Sequence, residues 1–184
     1  KPIGIVGTRN ASEYGKKVTA KLVAELAAYN ASIISGMAYG IDIFAHQQAI
    51  KNNLQTIAVL AHGLDAVYPK IHSNEALKMQ ENGGFLTEFW TYSKPDRENF
   101  VKRNRIVAGI SEATIVVESA ERGGSLITAE IANDYNREVF AVPGNLGVKQ
   151  SEGTNSLIQK GEAKLIKEPE DVLIEQQKRK MGHE

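Results

Sequence analysis

The sequence predicts an α/β fold: an extended Rossmann-like, doubly wound and mostly parallel sheet with helices on both faces. Two observations predict it. Short unbroken apolar runs alternate with helical patterns along the chain, and a strand that is apolar throughout is one buried on both faces, as in a parallel sheet. Polar or glycine-rich segments then follow four of these runs, at residues 7–12, 35–42, 119–128 and 143–155. Doubly wound sheets bind ligands there, beyond the carboxyl ends of the strands.

The elements follow in order. Residues 3–6 are a buried strand, and residues 14–29 an amphipathic helix with Val18, Leu22, Val23 and Leu26 on its apolar side. Residues 32–35 form a short strand, 41–52 a helix, 55–60 a strand, 73–81 a helix and 84–87 a strand. A polar stretch over 91–99 leads into a helix that carries Lys102-Arg-Asn-Arg105 at its start. Residues 113–117 are a continuous apolar strand, 126–135 a helix and 139–142 another strand. Helices over 155–160 and 169–177 close the chain around a short strand at 163–166. Crossovers between parallel strands are expected to be right-handed. Residues 1–174 read as one domain and 175–184 as a polar tail, either a solvated linker or a frayed helix. A chain that opens directly on a core strand reads as a domain cut from a longer protein.

Composition narrows the function. The 184 residues include 22 Lys plus Arg against 22 Asp plus Glu, so no global field draws in a polyanion and any such site must be a local patch. Cysteine is absent, which excludes disulfides and thiolate metal sites and points to a reducing, cytoplasmic compartment. No apolar run is long enough to span a membrane. His46, His62, His72 and His183 stand in unrelated segments without metal-ligand spacing. No metal is expected.

Four segments carry chemistry. In Gly7-Thr-Arg-Asn-Ala-Ser12, Arg9 follows a strand end, and its planar fork suits a phosphate. The alternative is a tight turn with Ser12 as helix cap and Arg9 in solvent. The spacing to Gly15-Lys16 is too long for a P-loop, and Lys17 stands where the magnesium-binding hydroxyl belongs. In Ser35-Gly36-Met37-Ala38-Tyr39-Gly40, small residues precede a helix start, whose free N–H groups would face an anion. Ser35, Asp42 and His46 invite comparison with a nucleophilic triad, but the nucleophile elbow is missing and an Asp–His pair on one helix is usually structural. A second anion-ready terminus lies at Arg122-Gly-Gly-Ser-Leu-Ile-Thr-Ala-Glu130, where Ser125 or Thr128 would donate to phosphate or Ser125 would simply cap the helix.

The fourth segment is the basic run. On a helix Lys102 and Arg105 share a face, whereas Arg103 and Asn104 point elsewhere, and some of the cations would pair with Asp96 or Glu98.

The ordered set Gly7-Thr-Arg9, Ser35 to Asp42, Phe100-x-x-Arg103-Asn-Arg-Ile, Gly109-Ile-Ser111, Gly123-Gly-Ser-Leu-Ile-Thr-Ala129, Val142-Pro-Gly144 and Gly153-Thr-Asn155 closely resembles the DprA (DNA processing A, Smf) family. The resemblance covers nearly the whole chain. It implies a non-enzymatic recombination mediator of natural transformation, which binds and shields incoming single-stranded DNA and loads the RecA recombinase. It also implies a homodimer without a cofactor, with a small helical domain before this one and a winged-helix-like domain after it in many members. The family's DNA pocket maps onto Arg9, the loop Ser35, Gly36, Met37, Ala38, Tyr39 and Gly40, and the run Lys102, Arg103, Asn104 and Arg105, with Ser125 and Thr128 as further contributors. Tyr39 and Phe100 are candidates either for base stacking or for inward packing.

Two rivals remain. Nucleotide-binding hydrolases of the lysine-decarboxylase-like phosphoribohydrolase type carry a P-G-G-x-G-T-x-x-E loop. Here Arg122, Leu126 and Ile127 replace its proline, third glycine and threonine, so the catalytic loop is not reproduced. The other rival is a dimerisation module with no DNA contact of its own.

Overall fold

The first apolar run, Pro2–Val6, is strand β1, and it lies in the middle of a seven-stranded sheet. The computed structural model describes residues 1–182, with backbone alone at 176, 177, 179 and 180; His183 lies outside the described residues. After β1 come α1 (Glu13–Leu26), β2 (Ser32–Ser35), α2 (Ile41–Lys51), β3 (Thr56–Val59), α3 (Ser73–Met79) and β4 (Gly83–Leu86). The second half is α4 (Arg97–Ile110), β5 (Ala113–Val116), α5 (Gly124–Asp134), β6 (Glu138–Ala141), α6 (Lys149–Gln159), β7 (Lys164–Leu165) and α7 (Glu170–Met181).

The strand order is β4-β3-β2-β1-β5-β6-β7, and every pair is parallel. The chain winds outward from β1 to β4, then returns to the other side of β1 with β5. Their carboxyl ends therefore flank the switch point, where such sheets open a crevice. Alternation along the strands feeds two layers. Ile5 and Ile115 pack with Leu22, Leu26 and Ile41 on the α1/α2 face, while Val6 and Val116 pack with Val107, Ala129 and Leu157 on the α4/α5/α6 face. A third cluster joins Met37, Ile43, Ala58 and Met79 beneath α3. No helix among the described residues is long and apolar enough to cross a membrane.

Three helix boundaries differ from the sequence expectation. Asp96 caps α4 by accepting the Asn99 N–H at 2.8 Å, so α4 begins at Arg97 and the basic run lies in its interior rather than at its start. Gly123, not Ser125, occupies the cap position of α5. Helix α6 begins at Lys149, before the expected residue 155, because Gly153 is an interior position at which the helix presses against the Ser119 and Ala120 carbonyls. The last helix runs to Met181, and the Glu175 carboxylate within it meets Lys164 Nζ at 2.6 Å.

Candidate nucleic-acid interface

The loop after β1 reaches the switch point with Arg9 exposed. Its backbone is tied on both sides: Thr8 N donates to Glu118 O at 2.8 Å, and Thr8 O accepts the Ile41 N–H at 3.1 Å. Gly40, at φ 77°, turns closely against Thr8 and Arg9; a side chain there would strike their backbone. So placed, Arg9 sets its guanidinium 5.2 Å from the centre of the Phe100 ring, within cation–π range. Tyr68 lies 5.9 Å from the same ring and is 46% exposed.

Arg103 has a different role from the one its motif proposed. It is 4% exposed. Nη1 donates to Gly36 O at 2.6 Å and to Val59 O at 2.7 Å, and Nε donates to Asn104 Oδ1 at 3.2 Å. Its Cζ also lies 5.6 Å from the Phe100 ring centre. Burial pulls the guanidinium's pKa down, and the Asp42 carboxylate opposes that shift. Arg103 thus braces β2, β3 and α4 from inside and is not offered to a ligand. Asn104, half-buried, partners it. Lys102 is exposed and makes no ion pair among the described residues. Arg105 pairs with Glu88, not with Asp96 or Glu98. Strand pairing brings Glu88 to the site from beyond β4, so sequence spacing did not signal it.

The loop after β2 is filled from within. The Gly36 N–H donates to Asp42 Oδ2 at 3.2 Å, and the Ala38 N–H also engages that carboxylate. Burial pushes the Asp42 carboxyl up, while Arg103 and these donors pull it back. Ile43 N is spent on Ala38 O and Ile41 N on Thr8 O. The free helix-start donors expected here are therefore largely engaged, and an internal carboxylate occupies the inner side of the loop. Ser35 and Met37 are buried, and Ser35 Oγ donates to Ile5 O at 2.6 Å. Only Ala38, Gly40 and above all Tyr39, 49% exposed and edge-on to His72 at 5.2 Å, present surface.

No triad forms. His46 is fully buried, and its Nδ1 lies 2.6 Å from Thr56 Oγ1, which donates onward to Ile33 O. Burial, with His72 and Arg103 adding positive charge, lowers its pKa to about 3.

On the β5–β6 side the motif residues support the fold. Ser125 and Thr128 are buried, the Ser125 hydroxyl without a hydrogen-bond partner among the described residues, and Glu130 is exposed. Gly144 and Asn155 clasp each other, N–H to Oδ1 at 3.1 Å and Nδ2 to carbonyl at 3.0 Å, which accounts for both of their motifs. A cavity of about 580 Å³ opens between Ser12, Tyr14, Glu118, Pro143 and Val148. Buried Glu118 forms one of its walls and accepts both the N–H and the hydroxyl of Ser12. That carboxylate makes the cavity a poor seat for a phosphate.

Sequence reading missed Arg97 and Tyr68. Arg97 opens α4, is exposed and precedes Phe100 by one helical step, so it leaves the same side as the ring. That spacing was readable once the helix start was known. Tyr68 comes from the β3–α3 connection and has no local signal. Arg9 lies over the Phe100 ring, and α4 adds the exposed cations Arg97, Lys102 and Arg105, of which Arg105 is paired with Glu88.

Comparison with known proteins places the chain in a family. A sequence model described as DNA recombination-mediator protein A matches residues 1–177. The chain is 44% identical over 173 residues to the DNA processing protein DprA of Bacillus subtilis, covering 94% of this chain and 58% of that protein. It superposes on the crystal structure of DNA processing protein A from Streptococcus pneumoniae with a TM-score of 0.87 at 40% identity, covering 95% of this chain and 61% of that one. The Helicobacter pylori protein, whose structure addresses its single-stranded DNA binding mode, gives a TM-score of 0.87 at 32% identity and covers 97% and 80% of the two chains. The chain spans about half the length of the curated relatives it matches. With its sequence and its fold in agreement, the chain belongs to the DNA recombination-mediator protein A family.

Proposed function

We propose that this domain binds single-stranded DNA across the carboxyl edge of β1, β2 and β3. The observation that carries the reading is Arg9, an exposed guanidinium at the switch point laid on the face of Phe100. A cation on an aromatic ring offers the two things a single strand needs, a phosphate partner and a stacking surface. Arg97, one helical step before Phe100, and Lys102 elsewhere on α4 add exposed charge, and Tyr39 and Tyr68 add half-exposed rings. The relatives support the choice of strand, since the H. pylori protein binds single-stranded DNA.

The wider role we infer, which family membership supports, is shielding an incoming strand in the cytoplasm and loading the RecA recombinase onto it, as a homodimer and without catalysis. Charge neutrality fits such a role, because binding confined to one edge leaves the other faces free for protein partners.

Titration of a labelled oligo(dT) at several salt concentrations tests the binding. The expected result is an affinity that falls linearly with salt on logarithmic axes. No binding at low salt would favour a purely structural module, and steady release of adenine from AMP would favour the hydrolase.

A further inference from the structure

Trp90 and Tyr92 are the most exposed aromatic residues of the chain, at 88% and 82%. Tryptophan is ordinarily well buried, and this one is the chain's only copy. The two residues do not sit on a loose tip. Ser93 N donates to Trp90 O at 3.0 Å, closing a turn, and Tyr92 within it takes a φ of 69°, in the left-handed region that a bulky residue enters at a cost. Asp65 Oδ1 accepts the Tyr92 N–H at 2.6 Å, and Gly63 N donates to Ser93 O at 3.1 Å. A side chain on Gly63 would strike the Trp90 carbonyl, so the turn is seated directly on the β3–α3 connection. A costly backbone conformation is thus held by three bonds, and its effect is to display two rings.

The same connection leads to the proposed DNA site. His62, next to Gly63, lies 6.4 Å from Tyr68, and Tyr68 lies 5.9 Å from Phe100, under Arg9. Between the turn and Phe100 the chain carries the exposed cations Lys94 and Arg97 beside exposed Glu98, while the Asp96 carboxylate is engaged in capping α4. The rings and charges therefore continue from the Arg9–Phe100 pair outward to Trp90.

Resting on the single-strand reading above, we propose that Trp90 and Tyr92 form a second stacking platform, which takes unpaired bases of the same strand beyond the Arg9–Phe100 site. A strand long enough to leave the first site would pass Arg97 and Lys94 and lay its bases on the two rings. The occupant is chosen by continuity and by Lys94 and Arg97: a protein partner accounts for the exposed rings, but not for their connection through His62, Tyr68 and Phe100 to Arg9.

The single tryptophan makes the test direct. Oligo(dT) of about 4 and about 16 nucleotides is titrated into the full chain, with Trp90 fluorescence and the anisotropy of a labelled oligonucleotide read separately. The long strand is expected to quench Trp90 and the short one to bind without quenching it. The Trp90→Ala and Tyr92→Asn variants, the latter suited to a left-handed turn, are each expected to weaken the long strand about tenfold and leave the short one unchanged. Long-strand binding without quenching, or equal weakening of both strands, overturns the platform while leaving the first site intact. Failure of both strands to bind the unaltered protein overturns the single-strand reading itself. Concentration-dependent self-association lost in Trp90→Ala, with unchanged DNA binding, assigns the turn to a second copy and overturns the platform as well.

Discussion

Nη1 of Arg103 lies 2.6 Å from the carbonyl oxygen of Gly36 and donates to it. Because Gly36 N in turn donates to Asp42, a buried cation and a buried carboxylate are joined through one residue, and the turn after β2 is fixed to α4. Removing one member of a buried, hydrogen-bonded charge pair leaves the other unpaired and costs about 3–5 kcal/mol. Arg103→Ala is expected to lose stability on that scale in urea unfolding. Its DNA binding should fall with the folded fraction, not through a changed salt slope. A variant that unfolds at the wild-type midpoint would show that Arg103 is not a strut.

Arg9 stands opposite in behaviour. It is exposed and, among the described residues, makes no ion pair, touching the Phe100 ring and repelling Arg103, so Arg9→Ala should change stability by no more than about 0.5 kcal/mol. It should weaken oligo(dT) binding at every salt concentration and reduce the slope of log affinity against log salt by about 1. Lys102→Ala should act in the same direction. Unchanged slopes in both variants would place the phosphates elsewhere.

Comparison of Arg9 and Arg103 shows what the sequence could reveal. The alternation of apolar runs with helical patterns identifies every strand and α-helix, most directly the inner strands, whose burial on two faces is written in composition; edge strands β4 and β7 are half-buried or exposed. The basic run was visible too, but its division was not. Arg103 shares a helix face with Phe100 and Val107, a register that places it inward, whereas Lys102 and Arg105 face out. That register was readable, but what stabilises a buried guanidinium was not: two carbonyls and a carboxylate brought from β2, β3 and α2 by the fold. The Asp96 cap, hidden in a polar stretch, displaced the expected helix start. Glu88 and Tyr68 arrive through strand order, which no local pattern carries.

Gly36 should tolerate no side chain. A Cβ there would stand 2.7 Å from both Arg103 Cζ and Asp42 Oδ2, closer than van der Waals contact allows. The pair cannot part without losing its bonds. Gly36→Ala is expected to destabilise by about 1–3 kcal/mol through overpacking, read as a lower urea midpoint with an unchanged m-value. Combined with Arg103→Ala it should cost less than the sum of the two single changes, because both break the same contact. Strict additivity would argue that Gly36 serves the turn alone.

His46 gives the pH dependence. With Thr56 Oγ1 donating to Ile33 O, the network assigns the imidazole proton to Nδ1 and leaves Nε2 bare, buried and without a partner among the described residues. A second proton at Nε2 would meet no acceptor, in agreement with a pKa lowered to about 3 by burial first and by His72 and Arg103 after it. The folded pKa lies below the unfolded value of about 6.5, so between the two the unfolded chain binds a proton that the folded chain refuses. Stability from this group is complete above about pH 6.5, falls as pH drops toward about 3, and changes no further below that. The slope is at most about 1.4 kcal/mol per pH unit. Urea unfolding at several pH values checks it: His46→Gln should be less stable than wild type at neutral pH, with the difference shrinking steadily as the solution is acidified. A difference that stays constant with pH would mean that His46 does not titrate between the two states.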